Sequence, residues 1–316
     1  MVDQQSQRQL VEQAVRTPVA EIDPDEISEQ LRSDAATDRA LALQTVFRVA
    51  SAESTQPISV SESVAKLLED DVLAVRVSAA LAAMGIARTR PNEIVPAVPA
   101  LIDLLADDPP LLRFRAASAL APLTESHPEV FPEHTGRLVA ALSEAPTFDA
   151  DLERIAQSGE LTQDQTQRQL SVLQNRTDEI ERSKVRSEGT REVIINILVE
   201  VARINPDSCE QYHSDIVTAL SDDNTAVRAG AVEVVRHMAA ARSDPTEEIS
   251  EVLIERLTDD AKQVRARAVR ALGSLEIAMA VDPLFDLSER ETNDELAALA
   301  AETAEWLASN TASTES

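Results

Sequence analysis

Arginine recurs in this chain on a fixed period. It stands at positions 39, 76 and 113, and again at 191, 228 and 265; every step is 37 residues except one of 78. An acidic phrase precedes it. Asp70-Asp71-Val72-Leu73-Ala74-Val75-Arg76 reappears as Asp222-Asp223-Asn224-Thr225-Ala226-Val227-Arg228 and as Asp259-Asp260-Ala261-Lys262-Gln263-Val264-Arg265. Asp107-Asp108 before Arg113 is a variant, and Asp34 keeps the same five-residue distance from Arg39. Self-similarity at this period is the mark of stacked supersecondary units, so the chain is read as one repeat array.

The flanks keep the register. Twelve and eight residues before the arginines stand Ile27 and Leu31, Val64 and Leu68, Leu101 and Leu105, Ile216 and Leu220, and Leu253 and Leu257. A spacing of four is one face of a first helix, A. Three, four and seven residues after the arginines come Ala42, Leu43 and Val46; Ala79, Ala80 and Ala83; Ala116, Ala117 and Leu120; Ile194, Ile195 and Leu198; Ala231, Val232 and Val235; and Ala268, Val269 and Leu272. That is the apolar stripe of a second helix, B. The Asp-bearing turn lies between them, where a carboxylate can cap free N–H groups and favour the helix dipole. One hairpin cannot bury both its faces; stacked neighbours can.

Apolar helix A, a turn Asp, Val-Arg opening helix B and then Ala-Ala-x-Ala-Leu resemble the HEAT-repeat (armadillo-like) family, most closely in Asp260-Ala261-Lys262-Gln263-Val264-Arg265-Ala266-Arg267-Ala268-Val269-Arg270-Ala271-Leu272. The resemblance implies an all-α fold, a right-handed α-α superhelix of about seven helical hairpins spanning about residues 25–308. It also implies a ladder between neighbouring repeats. Carried over by position, the ladder is Asp34, Asp71, Asp108, Asp223 and Asp260 with Arg39, Arg76, Arg113, Arg228 and Arg265. Arg191 lacks the Asp, since position 186 is Arg, and the ladder is expected to be weak or rewired there. Such a fold hosts many unrelated partners and says little about function.

The long step falls in the fourth unit. Leu138 and Leu142 mark its helix A, whereas helix B appears only at Arg191, so residues 145–187 read as an insertion in the A–B turn. Leu161-Thr162-Gln163-Asp164 would cap a helix running to about 185 with a thin apolar stripe of Leu170, Leu173, Ile180 and Val185. This segment reads either as a solvated helix or linker, or as a partner-binding or dimerising arm. Residues 1–24 read as an N-terminal capping helix and linker. Trp306 reads as packing in the last unit, and 309–316 as a disordered tail.

The chain carries 56 acidic and 29 basic residues, a net charge of −27, and only Lys66, Lys184 and Lys262 are lysine. An acidic surface nearly without lysine resembles the composition of haloarchaeal cytoplasmic proteins, in which carboxylates keep a surface hydrated in concentrated salt and net charge opposes association. No signal peptide or apolar run of membrane length is seen, which gives a cytoplasmic expectation.

Chemistry leaves few traces. His127, His134, His213 and His237 form no close metal spacing, no His-Glu pair or glycine-rich phosphate loop occurs, and Cys209 is the only cysteine. No catalytic residue, metal or cofactor is expected, and Cys209 reads as a small packed residue. Charge is more informative. Helix-B segments 39–49, 76–85, 113–121, 191–203, 228–240 and 265–274 hold twelve Arg and three acids, Glu192, Glu200 and Glu233. Six of these Arg belong to the ladder register. Arg48, Arg115, Arg203, Arg236, Arg267 and Arg270 remain, and they read either as paired with nearby carboxylates or as an Arg-studded concave helix-B face. On the second reading Arg115, Arg267 and Arg270, with Arg48 and Arg236, are the candidate partner-binding residues. The functional expectation is a non-enzymatic scaffold or adaptor for a protein partner. A nucleic-acid or chromosome-associated protein, or a structural subunit of a larger enzyme complex, is the alternative. Low aromatic content (2%) and overall acidity weigh against nucleic acid.

Overall fold

The apolar stripes become paired helices. The computed structural model describes residues 22–52, 60–106, 109–143, 163–242 and 246–314, and among them every regular element is helical. The elements are α1 (Pro24–Gln30), α2 (Ala36–Ser51), α3 (Ser61–Leu67), α4 (Leu73–Thr89), α5 (Val98–Asp103), α6 (Pro110–Ser126), α7 (Thr135–Ser143), α8 (Gln163–Ile204), α9 (His213–Ala219), α10 (Thr225–Ala240), α11 (Glu247–Glu255), α12 (Lys262–Ser274), α13 (Val281–Arg290) and α14 (Asp294–Thr314). Odd-numbered helices are the A helices and even-numbered ones the B helices, and the chain is an all-α solenoid of HEAT/armadillo type. Several A helices begin or end in 3-10 turns, such as Val95–Ala97 before α5 and Arg256–Thr258 after α11.

The chain divides into two compact units, one drawn from residues 1–130 and 140–193, the other from 131–139 and 194–316. In the first, α2, α4 and α6 pack side by side, each backed by its own A helix. In the second, α10, α12 and α14 do the same. Every apolar position assigned above from the 37-residue register is at most 3% exposed. Truncating one of the leucines, such as Leu253 or Leu272, would cost about 2–5 kcal/mol. The alanines let helices approach closely, and one contact demands more. A Cβ on Gly230 of α10 would collide with the side chain of Ile195 on α8, so a larger residue there forces the two helices apart.

Two boundaries differ from the sequence reading. Helix α8 runs unbroken from Gln163 to Ile204, with no separate helix ending near 185. Positions 185 and 186, where other repeats carry turn-forming Asp, are Val and Arg here, and neither Gly nor Pro offers a turn with the following residues except Gly189, which stays helical. Likewise α14 continues to Thr314, because no Gly or Pro follows Leu307 to stop it. Residues 1–21 and 144–162 lie outside the described residues.

The ladder is built around a pinned guanidinium. Nη1 of Arg39 donates to the carbonyls of Ser33 and Asp34 (2.8 and 3.1 Å), and that of Arg76 to Asp70 and Asp71 (2.9 and 3.4 Å). Arg228 donates to the carbonyls of Asp222 and Asp223 (2.8 and 3.2 Å), and Arg265 to those of Asp259 and Asp260 (2.8 and 3.0 Å). Each arginine thus closes its own A–B turn. The rest of the fork reaches the next repeat: Arg39 grips Asp70 with Nε and Nη2 (2.9 and 3.1 Å), Arg228 grips Asp259 (2.8 and 3.0 Å), and Arg265 pairs with Glu291 (2.7 Å). The same carboxylates accept main-chain N–H groups at the start of the following helix: Asp70 from Val72 (2.9 Å), Asp259 from Ala261 (2.9 Å), and Glu291 from Thr292 and Asn293.

The ladder acid therefore lies one residue earlier than the family register places it. Asp34, Asp71 and Asp223 contribute their carbonyls to the arginine rather than their carboxylates. Asp260 makes a secondary contact to Arg228 at 2.6 Å while its side chain stays 88% exposed. Asp108 lies outside the described residues. The physical reason is the turn itself: only the residue six before the arginine can fold its carboxylate over the N–H two positions on, and that places it against the preceding repeat. Other arginines stitch repeats at their helix-A ends, where carbonyls lack partners. Arg256 donates to Leu220 O (2.6 Å), Arg290 to Leu257 O (2.9 Å) and Arg191 to Leu142 O (3.3 Å). The sequence reading missed the first two, which lie outside the helix-B register.

The side chains of Arg228 and Asp259 are 11% and 4% exposed, so removing one partner strands the other in a poorly hydrated place. Asp259→Ala is expected to lower unfolding free energy by about 3 kcal/mol and Asp260→Ala by less than about 1 kcal/mol, read by urea titration. Equal losses would contradict the assignment.

The ladder also sets an acid limit. Burial alone would raise the carboxyls of Asp70, Asp259 and Glu291, but the hydrogen bonds and charges of Arg39, Arg228 and Arg265, with the main-chain N–H groups, outweigh it and hold all three below their ordinary values. Because the folded values are depressed, their stabilisation is fully present above the ordinary carboxylate range, about 4. It is lost as pH falls from there through the folded values. Thermal melts should hold steady from pH 7 to about 5 and fall steeply below about 4.

Candidate functional site

Residues three, four and seven after each arginine face the core, and those two, five and nine after it turn away from that stripe. Some of the latter, such as Ser78, Gly85 and Gly230, are buried against neighbouring helices and others, such as Arg270, are exposed. In the first unit this register holds Leu41, Gln44 and Arg48 on α2, Ser78 and Leu81 on α4, and Arg115 on α6. These residues, with Thr45 and Phe47, line one groove of about 300 Å³. The structure thus brings together Arg48 and Arg115, which the sequence reading had placed on different repeats. Nη1 of Arg115 donates to the carbonyl of Val77 at 2.9 Å. Burial pushes the Arg115 guanidinium below its usual range, and the like charge of Arg186 on α8 adds to this. Arginine stays charged nonetheless, so its charge is held in a place where burial and a like charge both disfavour it. Arg186 was not singled out by position; its signal was the basic run from Arg182 to Arg186. It comes near α6 because Gly189, one turn on, lets α8 approach Phe114, whose ring would lie 3.1 Å from a Cβ there.

In the second unit the candidate residues fare differently. Arg267 and Arg270 sit three residues apart on α12, with Arg270 exposed and Arg267 half-buried. Neither has a carboxylate within ion-pair distance among the described residues. Arg236 on α10 is held by Glu233 (2.8 Å) and donates to the ring of His237 (2.8 Å), and Arg203 on α8 is paired with Glu200 (2.7 Å). Their charge is largely offset by glutamates at i, i+3 spacing, the paired alternative of the sequence reading rather than the partner-binding one it assigned to Arg236. His237 is pushed below its ordinary value, mainly by burial and then by Arg236.

Among the described residues no group of three His, Cys, Asp or Glu side chains is arranged to hold a metal, and no helix is long and apolar enough to cross a membrane. Trp306, expected as packing in the last hairpin, is 44% exposed, while Leu296 and Leu307 of α14 are buried.

The family model for the adaptin N terminal region matches residues 25–283. The chain belongs to the adaptin N-terminal region family. The match covers the repeats from α1 into α13 and accords with the HEAT/armadillo-type reading of their register. This adaptin-family chain matches no curated protein. Solved structures resemble it in fold. They include computationally designed armadillo repeat proteins for modular peptide recognition (TM-score 0.54, 17% identity, covering 80% of this chain and 99% of that one). Another is a designed armadillo repeat protein in complex with the peptide (KR)4 (TM-score 0.53, 18% identity, 80% and 98% covered). At such identities the likeness speaks to fold alone.

Cys209 is fully buried in the 3-10 segment Pro206–Tyr212, and burial, the largest influence, pushes its thiol up to about 11. It is a packed residue without thiolate character at neutral pH. A thiol-reactive dye at pH 8 should label the folded protein negligibly and the urea-unfolded protein completely.

Proposed function

We propose that this adaptin-family chain is a non-enzymatic scaffold that binds a protein partner through the open side of its B helices. The observation that carries the reading is where cationic side chains remain without carboxylates on a chain of net charge −27. Among the described residues Arg267 and Arg270 have none, and Arg115 has only a main-chain carbonyl. Several other arginines are held by the ladder, by main-chain carbonyls or by glutamates, as Arg228, Arg256 and Arg203 are. Exposed Arg32 and Arg88, which also lack a carboxylate among the described residues, stand at helix C-terminal ends, where a cation suits the helix dipole. An acidic protein keeps exposed, uncompensated arginines where something anionic meets them. Arg48 shares a groove with Arg115 in the first unit; Arg236 contributes less, being tied to Glu233. The fold neighbour in complex with the peptide (KR)4 supports the idea that a stack of this kind can hold a peptide; the arginines of this chain would favour an acidic one.

The composition fits a cytoplasm of high salt, where phosphate-backbone binding is weakened by counterion competition, and this favours a protein over a nucleic acid. The test compares the wild type with the double variant Arg267→Glu/Arg270→Glu, confirmed folded by circular dichroism, as baits at molar KCl. A partner retained by the wild type should be lost by the variant, and a duplex oligonucleotide should bind neither. Equal capture by both baits would overturn the reading.

A further inference from the structure

We propose that the groove across α2, α4 and α6 is a subsite for a carboxylate side chain flanked by an apolar residue, presented by an extended segment of the partner protein. This rests on the reading of the B-helix face as partner-binding and gives its chemistry at one place. Three observations converge there. The groove takes residues at equivalent register from three consecutive repeats, so it crosses the B helices and suits an extended chain running along the stack. Leu41, Phe47 and Leu81 give it an apolar patch beside the uncharged polar Gln44, Thr45 and Ser78, and its cations are Arg48 and Arg115; no lining residue is Asp or Glu. Lastly, Arg115 is anchored at one nitrogen by the Val77 carbonyl, which fixes the guanidinium while leaving Nε and Nη2 without a protein acceptor among the described residues.

A half-buried, pre-positioned guanidinium beside a second cation, Arg186, lacks the anion that would offset its burial. A carboxylate supplies it in the planar two-oxygen form that matches the guanidinium fork. The apolar walls then fit the neighbouring side chain of the same segment. A phosphodiester backbone fits this groove poorly, because it brings a row of charges and no apolar group to Leu41, Phe47 and Leu81. A short ion pair in a half-buried groove is also screened less by salt than exposed phosphate contacts are.

The test measures fluorescence anisotropy of labelled, end-blocked octapeptides with the full-length protein at molar KCl. Alternating Glu-Leu is expected to bind. Alternating Gln-Leu, a run of Glu alone and an oligothymidylate of equal charge should bind at least about tenfold more weakly, the scale of one charge-assisted hydrogen-bonded pair. Arg115→Gln should weaken the Glu-Leu peptide by about the same factor, and Arg270→Gln should leave it unchanged. Since Arg115→Gln also removes the Val77 contact, Leu81→Glu provides a second route: it places a carboxylate in the groove and should abolish peptide binding. Indifference of the Glu-Leu peptide to both Arg115→Gln and Leu81→Glu, or preferential binding of the oligothymidylate, would overturn the subsite. If Arg270→Gln alone weakens the peptide, the subsite falls while the wider reading of the B-helix face stands; loss of partner capture in the double variant above is scored independently.

Discussion

One guanidinium per repeat does two jobs. Its Nη1 closes the turn that starts its own B helix, and its Nε and Nη2 hold the acid that starts the next one, as Arg228 does with the carbonyls of Asp222 and Asp223 and the carboxylate of Asp259. Lysine could not replace it, because a single ammonium cannot serve both sets of acceptors in one plane. The apolar stripes explain why helices pair; at Arg39, Arg228 and Arg265 this double attachment ties one repeat's turn to the next.

The ladder also determines how charge is distributed over the protein. Arg39, Arg228 and Arg265 are held both by their own turn carbonyls and by an acid of the next repeat, and the carboxylates they hold are removed from the pool that could neutralise other cations. Glutamates at i, i+3 spacing neutralise Arg203 and Arg236. Among the described residues, the arginines left without a carboxylate include Arg115 in the first unit and Arg267 and Arg270 in the second.

The fourth repeat shows the same logic by exception. Its position six before Arg191 is Val185, which can neither fold over a main-chain N–H nor accept from an arginine. No turn forms, α8 runs straight through, and Arg191 turns instead to the carbonyl of Leu142. Arg186, standing where a turn Asp would be, is carried by that straight helix to the neighbourhood of Arg115.

Much of this was legible in the order of residues. Periodicity located the A and B helices of the six arginine-bearing repeats, apart from the extent of α8, because burial on a helix is decided by angular spacing, and spacing is local. It also identified the ladder arginines, though not Arg256 and Arg290. The ladder acid was misplaced by one residue, since two adjacent aspartates are equivalent on paper and are distinguished only by which of them the turn folds back toward a main-chain N–H. The grouping of Arg48 with Arg115, the like charge of Arg186 beside them, and the half-exposed Trp306 were decided by tertiary structure alone. Those facts depend on which side chains of different repeats share one space, a distance between residues remote in sequence that no local pattern encodes.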